Sequence, residues 1–134
     1  MLSPTNELLA KVESICRTDT RYKPEAYFFV LAGLHYTVSQ LSEPRHITGQ
    51  ELLEGLRIYG LDQFGPLARQ VFEHWGVSTT VDFGEIVFTL VKAELLRKTT
   101  EDSIEDFREG YDFTLAFDPH PLFKLSDESD SLPA

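Results

Sequence analysis

The sequence is short of several things, and each shortage excludes a class of protein. It has one cysteine, Cys16, so no disulfide can form within the chain. A reducing cytoplasm suits that usage. Cys16 itself reads as a small apolar side chain on the first helix rather than a reactive thiol. No apolar run approaches the ~20 residues that span a bilayer. The opening stretch, MLSPTNELL, lacks the basic head and long apolar core of a secretion signal. A soluble cytoplasmic protein without a membrane partner is therefore expected. Basic residues are few, 12 Lys and Arg against 22 Asp and Glu, for a net charge of −10. A polyphosphate backbone repels such a chain, so no nucleic acid partner is expected.

Catalytic signatures are missing too. The chain contains no HExxH, CxxC or GxSxG, and no GxxxxGK followed by Ser or Thr. Its histidines, His35, His46, His74 and His120, lack the near neighbours of a metal cluster. No catalytic residue, no metal and no cofactor is assigned; whether the chain is an enzyme is left open, with a non-enzymatic role preferred. His35, close to the apolar face of its helix, reads as a packed, hydrogen-bonded histidine.

What the chain does have is a succession of helix signals. At 134 residues it is the size of one domain with a self-supporting core. Ser3-Pro4 opens a first helix with an apolar stripe of Leu8, Leu9, Val12 and Ile15. Pro24 starts a second, with Tyr27, Val30, Leu31, Leu34, Val38 and Leu41 at three- and four-residue steps and Gly33 marking close approach of a neighbour. Residues 44–98 then carry three helices in a row. Thr48 and Glu51 form the pattern of a capping box, in which hydroxyl and carboxylate each accept from the other residue's amide. The helix that follows presents Leu52, Leu53, Leu56, Tyr59 and Phe64, with Gly55 and Gly60 as further points of tight packing. Gly65-Pro66 ends it and starts PLARQVFEHW, which Gly76 is placed to close. Thr79 or Thr80 caps a fifth helix reaching Lys98, with Asp82 and Glu85 at its positive end and Arg97 and Lys98 at its negative one. Phe88 and Leu96 fall off its main stripe, so it is either covered on two sides or offers a docking face.

The charge is unevenly spread. Residues 101–134 carry ten acids and two bases, a net of −8, against a net of −2 from twelve acids and ten bases over residues 1–100. The segment IEDFREGYDFTLAF interleaves acids with aromatics and is expected to lie on the helical body as a helical turn and an extended strip. Residues 118–134 have the composition of a disordered acidic tail. The expected architecture is all-α, a single bundle of about five helices over residues 1–117 with an aromatic C-terminal strip.

Two surfaces follow. Arg45 and His46 stand beside the start of the third helix, where Thr48, Gly49 and the helix dipole, with Arg57 further along, could hold an anion of phosphate type. The competing reading is that Thr48 and Glu51 satisfy that end and Arg45 pairs with a nearby acid. The strip of Phe107, Tyr111, Asp112, Phe113 and Phe117 either folds onto its own core or meets a partner's basic, apolar groove. A helix-turn-helix reading of the third to fifth helices fails on chemistry, because the would-be recognition helix, DFGEIVFTLV, starts with acids and is too apolar for a groove.

The runs RHITGQELL (45–53), QFGP (63–66), WGV (75–77), DFGEIVF (82–88), DF (106–107) and YDF (111–113) together resemble an uncharacterised family of small bacterial proteins, known mainly from planctomycete and verrucomicrobial genomes. The resemblance covers residues 8–117. That family has no assigned activity, so it implies no catalytic residues, but it does imply that residues 111–117 belong to the domain. The function expected is a protein-interaction or regulatory module with a protein partner, self-association being left open. The alternative is a small-molecule or anion-binding protein, enzymatic or not, built on Arg45 and His46.

Overall fold

Proline-led starts and capping boxes decide where the chain turns helical. The computed structural model describes residues 4–43, 45–96, 105–108 and 110–117. Helix α1 spans Pro4–Thr18 and α2 spans Pro24–Ser39, each led by its proline. Helix α3, Gly49–Phe64, begins behind Thr48, whose side chain accepts from the Glu51 amide while the Glu51 carboxylate accepts from the Thr48 amide. A 3-10 turn over Gly65–Leu67 leads into α4, Ala68–His74. Helix α5, Thr80–Lys92, has a second capping box between Thr79 and Asp82. Two single-turn helices follow, α6 over Glu105–Arg108 and α7 over Phe113–Ala116. The described residues contain no strand, so the fold is all-α.

Helices α2 and α3 form the most extensive pairing. They approach closely because glycines face side chains across the contact: a Cβ on Gly33 would overlap Leu56, and one on Gly55 would overlap Thr37. Thr37 is held there by a 2.7 Å bond from its hydroxyl to the Gly33 carbonyl. The core then fills with aromatic rings. Phe72, fully buried, lies 4.9 Å from both Phe29 and Phe117 and 5.6 Å from Phe83, centroid to centroid. Edge-to-face contacts dominate around it, as ring quadrupoles favour. Truncating such a ring to alanine costs about 3–5 kcal/mol.

Several sequence expectations need correction. The expected fourth helix over residues 66–75 is split, because Gly65 adopts φ +54 and the chain tightens into the 3-10 turn before α4 begins. Leu67 is consequently exposed and Ala68 takes the buried place. Leu9 of the α1 stripe is also largely exposed, at 41%. His35 is exposed rather than packed; α2 buries Ala26, Tyr27, Phe29, Val30 and Gly33, a face rotated away from it. Helix α5 ends at Lys92, not at residue 98, because Glu94 turns into the left-handed region at φ +62. The amides of Glu94 and Leu95 then bond back to the carbonyls of Val91 and Leu90, closing a Schellman motif. The expected basic last turn, Arg97 and Lys98, and the expected tail, residues 118–134, lie outside the described residues.

The C-terminal strip is two helical turns rather than one, and it is part of the core. Asp112 caps α7 by accepting from the Thr114 amide at 2.7 Å. This sets Phe113 and Phe117 on one face, 5% and 0% exposed. Phe107 of α6 is 1% exposed and meets Phe88 edge-on at 6.2 Å. Helix α5 is therefore covered on a second side.

Candidate functional site: a cavity under Arg45

The bond that starts α3 also builds a rim. Glu51 is held in its capping position by the Thr48 amide at 2.9 Å, and this leaves its carboxylate facing Arg45. Arg45 Nη1 and Nη2 donate to Glu51 Oε1 and Oε2 at 3.0 and 2.7 Å, a bidentate pair. Nη1 also donates to the His46 carbonyl at 3.1 Å. The guanidinium thus presents its Nη1–Nη2 fork to Glu51, and its Nε edge has no partner among the described residues. Arg45 and the capping amide together hold the Glu51 carboxyl down at about 2, and Glu51 in turn raises Arg45. The Arg45 side chain is 52% exposed, so salt and water screen the pair.

Beneath this rim lies a cavity of about 180 Å³. Its walls come from three directions. Helix α2 gives Leu34 and Val38, α3 and the segment before it give Ile47 and Leu52, and α5, the turn after it and α6 give Val87, Leu96 and Phe107. Arg45, His46, Thr48 and Gly49 complete it. Gly49 matters to its shape: a Cβ there would stand 3.1–3.2 Å from Asp106 and Phe107, so glycine lets α6 lie against the start of α3. Two body side chains fasten α6 by its backbone. Gln50 Nε2 donates to the Asp106 carbonyl at 2.6 Å, and the buried Thr80 hydroxyl donates to the Phe107 carbonyl. Of the two candidate caps, Thr79 starts α5 and Thr80 holds α6.

The residues singled out in the sequence therefore divide. Arg45, His46, Thr48 and Gly49 come together at the cavity. Arg57 does not join them. It lies nine positions beyond Thr48, roughly 13 Å along the axis, and its guanidinium is engaged by Glu54 at 2.6 Å. Phe107, Phe113 and Phe117 are interior side chains and offer a partner no surface; of the two readings the sequence left open, the strip folds onto its own core, which removes the apolar area these rings would otherwise expose. Tyr111 belongs with them: its hydroxyl donates to the Leu53 carbonyl at 2.7 Å, and burial raises its pKa. Asp112 is spent on the α7 cap. Sequence reasoning missed Leu34, Val38, Ile47, Leu52, Val87 and Leu96 as site residues. Each reads as ordinary core, and no local pattern marks them as facing one space.

Elsewhere the chemistry is quiet. Burial, then Asp19 and Glu25, raises the Cys16 thiol, which keeps it protonated and unreactive. Among the described residues no group of three or more His, Cys, Asp and Glu stands together to hold a metal ion. None of the described helices is long and apolar enough to cross a membrane. Compared with known proteins, the chain matches no family model, no curated protein and no solved structure.

Proposed function

We propose that this protein is a receptor for a small molecule bearing an anionic group, seated in the cavity under Arg45. The observation that carries the reading is the cavity itself: apolar walls from α2, α3, α5 and α6 close beneath an arginine and a histidine. Small-ligand sites have this form, a mostly apolar hollow with a few convergent polar groups. The size, about 180 Å³, suits a small occupant. Drug-sized molecules occupy sites of about 300–1,000 Å³. An interaction module built on the C-terminal strip has less support, since the aromatic side chains it needs are interior.

The test is thermal denaturation of the full chain against a panel of small anions and matched neutral compounds. A ligand at 100 times its dissociation constant adds roughly 2.7 kcal/mol to stability, an easily measured shift. The shift should shrink strongly in Arg45→Ala. A flat response across the panel would remove the receptor reading and return weight to a protein partner.

A further inference from the structure

Two features of the rim and the hollow narrow the ligand beyond "small anion". The first is charge. Arg45 is not a lone cation, because Glu51 faces it bidentately at 2.7 and 3.0 Å. The pair sums to zero, so an incoming anion meets the Nε edge of Arg45, which has no partner among the described residues, with a carboxylate close behind it. A single negative charge can take hydrogen bonds from that edge. A dianion such as a phosphate monoester would set two charges against Glu51 with one arginine between them, on a chain whose net charge is already −10. The second feature is the hollow. An engineered cavity of about 150 Å³ lined by Leu, Ile and Phe takes up benzene. The present one is slightly larger, about 180 Å³, with Leu34, Val38, Leu52, Val87, Leu96 and Phe107 in its walls.

We infer that the ligand is a monocarboxylate with a compact apolar body of roughly six to eight carbon atoms, its carboxylate on the Nε edge of Arg45 and its body in the hollow. This rests on the receptor reading above and deepens it. It also assigns roles. Arg45 and His46 select the head, Glu51 rejects the dianion, and Phe107 with Leu96 limits the length of the body.

The experiment is calorimetric titration of the full chain with named probes: acetate, butanoate, hexanoate, octanoate, dodecanoate, phenylacetate, 2-phenylethanol, phenyl phosphate and inorganic phosphate. Affinity should rise from acetate to hexanoate by up to about fourfold per methylene, the equivalent of ~0.8 kcal/mol each. It should then fall by dodecanoate, which the hollow cannot hold. Phenylacetate should bind at least about tenfold more tightly than 2-phenylethanol or phenyl phosphate, the effect of one charge-assisted hydrogen bond. Arg45→Gln should bring phenylacetate down to the level of 2-phenylethanol. Val38→Phe should block both while circular dichroism shows the helices intact; Leu34→Phe repeats that test should the first variant fail to fold. Phenyl phosphate or dodecanoate binding best would overturn the carboxylate assignment and leave the receptor reading standing. Tight binding of 2-phenylethanol, equal to phenylacetate, would remove the anionic requirement and overturn both readings. Silence from every probe, inorganic phosphate included, would overturn both.

Discussion

Two corners of this molecule are made from the same pair of backbone devices and end up as opposites. At the first, α4 ends in a Schellman motif at Gly76 and α5 begins in the Thr79–Asp82 capping box. At the second, α5 ends in a Schellman motif at Glu94 and α3 begins in the Thr48–Glu51 capping box. The first corner is filled from outside. The loop between α1 and α2 lays the Arg21 carbonyl against Gly76, the Lys23 amide donates to the Trp75 carbonyl at 3.0 Å, and the Tyr22 hydroxyl donates to Asp82 at 2.6 Å. Among the described residues the second corner has no such filling. Glu51 meets an exposed arginine, Glu94 faces solvent, and the space between the two helix ends is the cavity. Helix termini are thus interchangeable as hydrogen-bond devices. What is packed on them decides whether a corner becomes a keystone or an opening.

The largest effect tests the filled corner. Gly76 has φ +92, and a Cβ there would overlap the Arg21 backbone carbonyl, which cannot swing aside as a side chain could. Gly76→Ala should therefore combine left-handed strain with overpacking, a loss of about 3 kcal/mol. Denaturant titration should show a lower midpoint with an unchanged slope. A loss below ~1 kcal/mol would mean that the α1–α2 loop yields, and the contrast between the corners would collapse.

The opposite sign is expected at the open corner. Glu94 holds the same left-handed place at φ +62 but is exposed. Glu94→Gly should relieve the strain at some cost in unfolded-chain entropy, a net gain of about 0.5–1 kcal/mol. Thermal denaturation reads it directly. Because the turn keeps Leu96 in the cavity wall, ligand affinity should stay unchanged. A destabilised variant would show that the Glu94 side chain has a role in closing the turn.

This pair of residues also shows where the sequence was readable. Pro24, the Thr48–Glu51 capping box and Gly76 announce themselves because each is local chemistry with one dominant use, whereas the start of α5 was narrowed only to Thr79 or Thr80. Glu94 announces nothing. The run from 93 to 98, AELLRK, is strongly helix-forming, and its turn is closed by bonds from Glu94 and Leu95 back to Val91 and Leu90 that propensity does not foresee. The inner face of α2 was hidden for a related reason: its apolar residues surround the helix, so spacing did not single out Phe29 or keep His35 outside. Part of the candidate site was legible, Arg45, His46, Thr48 and Gly49, since a helix start with a basic neighbour is a sequence pattern. The apolar half was not, because Val38, Val87, Leu96 and Phe107 meet only through the tertiary fold. Arg57 was grouped with them by charge alone, and its helical position sets it apart.

The smallest effect probes the rim to which the selectivity of the open corner is assigned by the proposal. Arg45 and the Thr48 amide favour the ionised Glu51 carboxylate and lower its pKa from 4.5 to about 2 in the folded chain. A depressed folded value means that the carboxylate's contribution is complete above the unfolded value and is lost as pH falls through the folded one. The window is therefore about pH 4.5 down to about 2. In that window the melting temperature of the native chain should fall slightly more steeply than that of Glu51→Gln, whose amide keeps the shape of the cap without titrating. Added salt should narrow the difference, because the pair is exposed and screened. The same variant sharpens the ligand assignment at neutral pH. Without the Glu51 charge, Arg45 becomes a full cation to an incoming anion, so phenyl phosphate should gain on phenylacetate. If the two probes keep their ratio in Glu51→Gln, the exclusion of dianions is not the work of Glu51, and the open corner selects by shape alone.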